Sequence, residues 1–314
     1  MRIFLAGATG AVGRPLVPML VADGHTVIGS SRGHTHDDAL RALGAEPVVL
    51  DGLDRAEVLD VVRAAAPDVV IHQMSGLAGS GGDLRHFDEE FAVTNELRVA
   101  GTDNLLEAAR AVGAKRFIAA SYTGWPNART GASVHDESAP LDADPAPESR
   151  LTLAGIKHTE AAVTAATGIE ALALRYGTFY GPGTGIGPGG DQLAMVKART
   201  LPVVGGGSGV WSFVHIADAA RATALAVGRG RPGIYNITDS DPAPVSVWLP
   251  YLHEVLGVRP PRRVPAWLVR PLLGRHGLNL MTAVRGSDNT RARTEFGWEP
   301  DHPSWRDGFR TLTT

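Results

Sequence analysis

A glycine triplet sits between an apolar pentamer and an amphipathic stretch at the very start of the chain. Gly7-Ala8-Thr9-Gly10-Ala11-Val12-Gly13 follows Arg2-Ile3-Phe4-Leu5-Ala6, which reads as a buried strand. Residues 11–23 then place Val12, Leu16, Val17 and Leu20 on one helical face. A strand, a tight glycine turn and a helix open a βαβ unit, and each glycine there has a physical task. Gly7 permits the sharp turn, Gly10 lets backbone approach a pyrophosphate, and Gly13 lets the helix lie close on the sheet. The helix N-terminus supplies unpaired N–H groups and a positive dipole end for phosphates. Thr9, Ala11 and Val12 complete the turn and join the glycines as candidate nucleotide contacts. The spacing is GxxGxxG and no GK[ST] follows, so this is not a P-loop.

The alternation continues. Apolar runs at Thr26–Ile28, Pro47–Leu50, Asp68–His72, Arg116–Ala120 and Ala171–Leu174 read as strands. Between them, helices are expected at 37–43, 55–65, 87–112 and 151–166. Continuous rather than alternating apolar strands mean a parallel sheet covered on both faces. Right-handed crossovers make it an α/β, Rossmann-type, doubly wound sheet. After Tyr176 the pattern changes to glycine-rich runs at 181–190 and 204–209 and a Pro- and Arg-rich segment at 257–275. The expected division is a dinucleotide-binding domain at 1–175 and a smaller substrate lobe at 176–210 and 237–314. Residues 211–236 are expected to return to the first domain, with a helix over 213–227 and a strand at 233–237. The glycine-rich stretch 76–83 after the fourth strand borders the expected crevice and suits a closing loop. The arginines between Val258 and Arg275 suit either an anionic substrate or a stiff surface loop.

Composition removes several function classes. The formal charge of the 314 residues is -3, without the basic excess that nucleic-acid binding needs. There is no cysteine, which excludes disulfides, thiolate metal sites and cysteine nucleophiles. The run His34-Thr35-His36-Asp37-Asp38 reads as a solvated helix start, and no metal site is expected. No signal-peptide layout and no apolar run of about 18 residues is present, so a cytoplasmic protein without a membrane span is expected. Only three lysines occur, Lys115, Lys157 and Lys197.

The end of the second strand decides which dinucleotide is expected. An NAD reader places a carboxylate there for the ribose 2′-hydroxyl. This chain has Gly29-Ser30-Ser31-Arg32-Gly33, and a guanidinium pairs with a 2′-phosphate. Ser31 and Arg32 therefore favour NADP, with NAD the alternative.

These features, with a series of later landmarks, resemble the extended short-chain dehydrogenase/reductase family, also called the NAD-dependent epimerase/dehydratase family. The landmarks are Asp51-Gly52-Leu53, Val70-Ile71-His72, Asn95 with Gly101-Thr102-Asp103-Asn104, Leu174 to Pro182, Phe213 to Asp218, and Gly233-Ile234-Tyr235-Asn236. The resemblance implies cofactor contacts at Asp51, Gly52 and Leu53, at Gln73, and at Tyr176, Gly177 and Thr178. It also implies hydride exchange with a small-molecule substrate, and a homodimer formed through the helices at 87–112 and 151–166. The family's acid/base is a Tyr four residues before a Lys that holds the nicotinamide ribose, helped by a Ser or Thr at the end of the fifth strand.

Here the pattern breaks. Lys157 stands in place, but four residues earlier is Leu153, which cannot transfer a proton. In the fifth-strand segment Ser121-Tyr122-Thr123, Tyr122 falls near the family's Ser/Thr. The catalytic candidates are therefore Lys157, Tyr122 and Ser121, with Tyr122 a relocated proton donor. The expected function is an NADP-dependent oxidoreductase for ketone/alcohol interconversion. A nucleotide-sugar epimerase or dehydratase, or a non-catalytic NADP-binding sensor or scaffold, are the alternatives.

Overall fold

A computed structural model of the protein describes residues 1–77 and 83–313. Seven strands form the central sheet: β1 (Arg2–Ala6), β2 (Thr26–Ser31), β3 (Glu46–Val49), β4 (Val69–His72), β5 (Arg116–Tyr122), β6 (Glu170–Tyr176) and β7 (Gly233–Ile237). Their spatial order is β7-β6-β5-β4-β1-β2-β3, and every pairing is parallel. From β1 the chain moves outward to β2 and β3, then crosses back to β4 on the other side. The switch point thus lies between β1 and β4, where Ala6 pairs with His72, and ligands of such sheets bind beyond those strand ends.

The longer helices covering the sheet include α1 (Gly13–Ala22), α2 (Arg55–Ala65), α3 (Thr102–Ala111), α4 (Arg150–Thr164) and α5 (Ile216–Ala226). Strand side chains alternate faces, so β1 feeds two cores. Ile3 and Leu5 meet Leu16, Val17 and Leu20 of α1 and Ala219, Ala222 and Ala226 of α5. Phe4 and Ala6 meet Val58 and Val62 of α2, Leu105 and Leu106 of α3 and Val163 of α4. A third core lies in the C-terminal part, where Trp248, Trp305, Phe309, Phe213 and Tyr180 are fully buried. Along one side of that part runs α6 (Ala266–Thr282), bent at Gly274, whose φ is 67°.

Two expected elements differ. The single helix at 87–112 is broken into Phe87–Glu90, Ala92–Glu96, a widened π turn at Leu97–Gly101, and α3. Side-chain donors take carbonyls out of its ladder: His72 Nε2 lies 3.1 Å from Leu97 O, and Thr159 Oγ1 donates to Arg98 O at 2.9 Å. The helix expected from 213 begins only at Ile216, because Phe213–His215 pair with Thr178–Tyr180 as a short parallel ribbon. The expected closing loop at 76–83 falls largely on residues 78–82, which lie outside the described residues.

Candidate active site

The glycine turn is built around two close approaches. Gly7 has φ of 91°, and a Cβ there would stand 2.6 Å from the carbonyl oxygen of Gln73, at the end of β4. A Cβ on Gly13 would stand 2.5 Å from Gly7 O. Real side chains do not reach so close, so only glycine lets α1 start directly over the switch point. The turn is fastened by Ala8 N donating to Ser30 O (3.1 Å) and Gly10 N to Gly7 O (3.1 Å). No side chain caps α1, and its first turn carries no acid. Its positive end is left for an anion, and this donor set fits a dinucleotide pyrophosphate.

At the end of β2, Ser31 is buried and its hydroxyl donates to Gly33 O at 2.8 Å. Arg32 is exposed and makes no ion pair among the described residues. Asp51 turns the chain after β3 by accepting from Leu53 N at 3.0 Å, and Asn104 of α3 holds Gly52 O at 3.1 Å. Gln73 Nε2 donates to the Tyr176 hydroxyl (2.7 Å), and that hydroxyl donates to Thr223 Oγ1 (2.7 Å), which itself donates to Ala219 O. Burial pushes Tyr176 up to about 12. Its phenol is thus committed to the α5 side. Gly177 lets the chain pass under Ser212, since a Cβ would lie 2.8 Å from Ser212 O.

The three catalytic candidates have separate hydrogen-bond partners. Ser121 is buried and donates to Glu160 Oε1 at 2.7 Å. Arg175 grips the same carboxylate at 2.6 and 2.7 Å, completing a buried network under α4. That hydroxyl is engaged under α4, and since neighbours on a strand face opposite ways, Tyr122 points to the other side of β5. Lys157 is exposed, and its Nζ donates to Asp142 O at 2.9 Å. Leu153, one turn earlier, is 1% exposed and part of the core surface of α4. Tyr122 is half-buried and shares a 3.0 Å hydrogen bond with Thr178 Oγ1. Burial raises its pKa, against the lowering effects of Thr178 and of the nearby Arg98 cation.

Sequence reading missed Arg98. It sits in the widened turn, its Nη1 donating to Asn95 Oδ1 at 3.2 Å and its guanidinium 5.9 Å from the Phe91 ring centroid. The available signal was its position, four residues after buried Thr94 and three before buried Gly101, on an inward stripe. A chain of aromatic rings runs on from Phe91. Phe91 stacks on Phe87 at 4.2 Å, and Trp125 meets Phe87 at 5.6 Å, Tyr122 at 6.5 Å and His276 of α6 at 5.1 Å. A separate group, His215, Asp218 and His302, gathers ligand-type atoms within 4.8 Å. Asp218 there already accepts from the backbone N–H of Asp301 (2.7 Å) and His302 (3.0 Å), fastening the last segment to α5.

A glycine turn at the switch point of a seven-stranded parallel sheet defines a dinucleotide-binding enzyme fold. Comparison narrows the class: residues 3–238 match the model of the NAD dependent epimerase/dehydratase family, and the chain belongs to that family. It is 46% identical over 311 residues to a 3-diazoavenalumate denitrifying reductase from a Streptomyces species, covering 98% of this chain and 99% of the relative. It is 28% identical to a 2-alkyl-3-oxoalkanoate reductase from Stenotrophomonas maltophilia, covering 99% and 98%. Human epimerase family protein SDR39U1, solved with NADPH, has a TM-score of 0.76 at 19% identity, covering 99% of both chains. The protein is an NAD(P)-dependent oxidoreductase of this family acting on small molecules, and no described helix is long and apolar enough to cross a membrane.

Proposed function

We propose that the protein is an NADP(H)-dependent reductase whose acceptor takes hydride without demanding a strong proton donor. The observation that carries this is Leu153, buried where the family's acid would stand. Residues 7–13 hold the pyrophosphate, Arg32 pairs with the 2′-phosphate, and Asp51 to Leu53 border the adenine. Lys157, exposed midway along α4, reaches the nicotinamide ribose by releasing Asp142 O. The reduced nicotinamide that these residues would hold would supply hydride; a diazonium carbon accepting it would lose dinitrogen with the C–N bonding pair, so no proton would be required from the protein. The name of the 46%-identical Streptomyces relative, a reductase of a diazo compound, supports this substrate class.

A second reading rests on Tyr122. Its hydroxyl beside Thr178 suits a relocated proton donor for a ketone, the substrate type that the Stenotrophomonas relative's name gives. Tyr122→Phe separates the two. Loss of acid catalysis lowers turnover by roughly 10²–10⁴. Such a fall, with NADPH affinity kept, establishes ketone reduction through Tyr122. Turnover of an aryl diazonium within a few-fold of the parent establishes the first reading. Side-by-side NADPH and NADH titrations test the cofactor; equal affinities in the parent would sink the role given to Arg32.

A further inference from the structure

We propose that Arg98, with Phe91, Tyr122 and Trp125, is the receptor for a planar aromatic carboxylate, so that the substrate is an aromatic acid held by its anionic end. This rests on the reductase reading of the same cleft. A guanidinium taken from water needs a counter-charge, and the buried arginines of this chain have one. Arg116 faces Glu170 and Arg175 faces Glu160. Arg98 is half-buried and faces no carboxylate among the described residues. Its neighbours cannot supply one. Asn95, its one hydrogen-bond acceptor among the described residues, is itself tied to Thr152 (3.0 Å), and Thr152 to Asp88 (2.6 Å). Asp88 also accepts from the backbone N–H of Leu151 and Thr152, both at 2.8 Å, so its charge is already used at the start of α4.

The position is built rather than incidental. The π turn sets Arg98 against α4, where Gly155 leaves room: a Cβ there would stand 3.4 Å from both Cβ and Cδ of Arg98. Widened turns of this kind recur at functional sites. No nitrogen of Arg98 is sealed away without a partner, so its remaining donors stay open. Phe91, Tyr122 and Trp125 are each half-buried, which leaves ring surface for a flat ligand beside the cation. A guanidinium fork matches a carboxylate in geometry as well as charge.

The test uses 4-hydroxycinnamate, its methyl ester and cyclohexanepropionate, titrated calorimetrically into the full-length protein with and without saturating NADP+. The acid is expected to bind about tenfold or more tightly than the ester, and more tightly than the saturated acid. Arg98→Met should bring the acid down to the affinity of the ester while NADPH binding stays unchanged, and Arg98→Lys should restore part of the loss. Equal binding of acid and ester by the parent, no binding of the acid, or an Arg98→Met variant that keeps the preference would each overturn the proposal. If the Met variant does not fold, the acid-against-ester comparison in the parent still decides. If the parent binds the acid but no NADPH, the reductase reading fails and the Arg98 site stands.

Discussion

Arg32 and Glu160 show how much a single side chain can carry when its setting is known. Arg32 is exposed and free of ion pairs among the described residues, so its charge costs the fold little and is available to a phosphate. Arg32→Ala should weaken NADPH binding by about 1.5–3 kcal/mol, the worth of charged hydrogen bonds, and leave NADH unchanged. Paired fluorescence titrations check it. Glu160 lies at the other extreme, 5% exposed and bonded to both Ser121 and Arg175. Glu160→Ala leaves a buried guanidinium without its partner and should cost about 3–5 kcal/mol in chemical denaturation. The fraction that stays folded should bind NADPH normally, because this network lies under α4 and away from the glycine turn.

At the scale of elements, the glycine turn and the sheet were legible, since continuous apolar strands and glycine spacing are local signals. Gly13→Ala brings a methyl to within 2.5 Å of Gly7 O, and α1 must lift. Overpacking of this kind costs about 1–3 kcal/mol. The variant should melt earlier and lose NADPH affinity together, as thermal unfolding with and without cofactor would report. The break at 97–101 was not legible. Its cause is tertiary: donors from His72 and Thr159, distant in sequence, reach its carbonyls. The same limit explains Ser121 and Arg98. Nothing local to the strand-end serine shows that its hydroxyl donates to Glu160, on a helix thirty-nine positions on. Arg98 looks like one surface arginine among 27 until its setting against α4 is seen, where it faces no carboxylate among the described residues.

At the scale of the whole molecule, three histidines buried in different places act in the same direction. His72 beneath the switch point, His215 before α5 and His276 of α6 are each pushed down to about 4 by burial. His72 is held neutral, its Nδ1 accepting from Met74 N at 3.3 Å. Between pH 6.5 and 4 the unfolded chain binds protons that the folded chain refuses. Stability therefore rises with pH across that window and is lost on acidification. Each histidine contributes about 1.4 kcal/mol per unit of separation between its folded and unfolded values. Urea midpoints should fall steadily from pH 7 to pH 5, and a flat profile would show that these rings titrate alike in both states.

The extra residue at Leu97–Gly101 is slack in an otherwise taut layer. Removing one residue there relaxes the coil to ordinary pitch instead of tearing it. Because the widened turn already absorbs that residue, Thr102–Ala111 stays seated on the strands below, and only the side chains at 97–101 are re-aimed. A lineage that must change what it reduces, yet keep how it holds its nucleotide, has in this one loosened coil a place to do so by insertion or deletion alone.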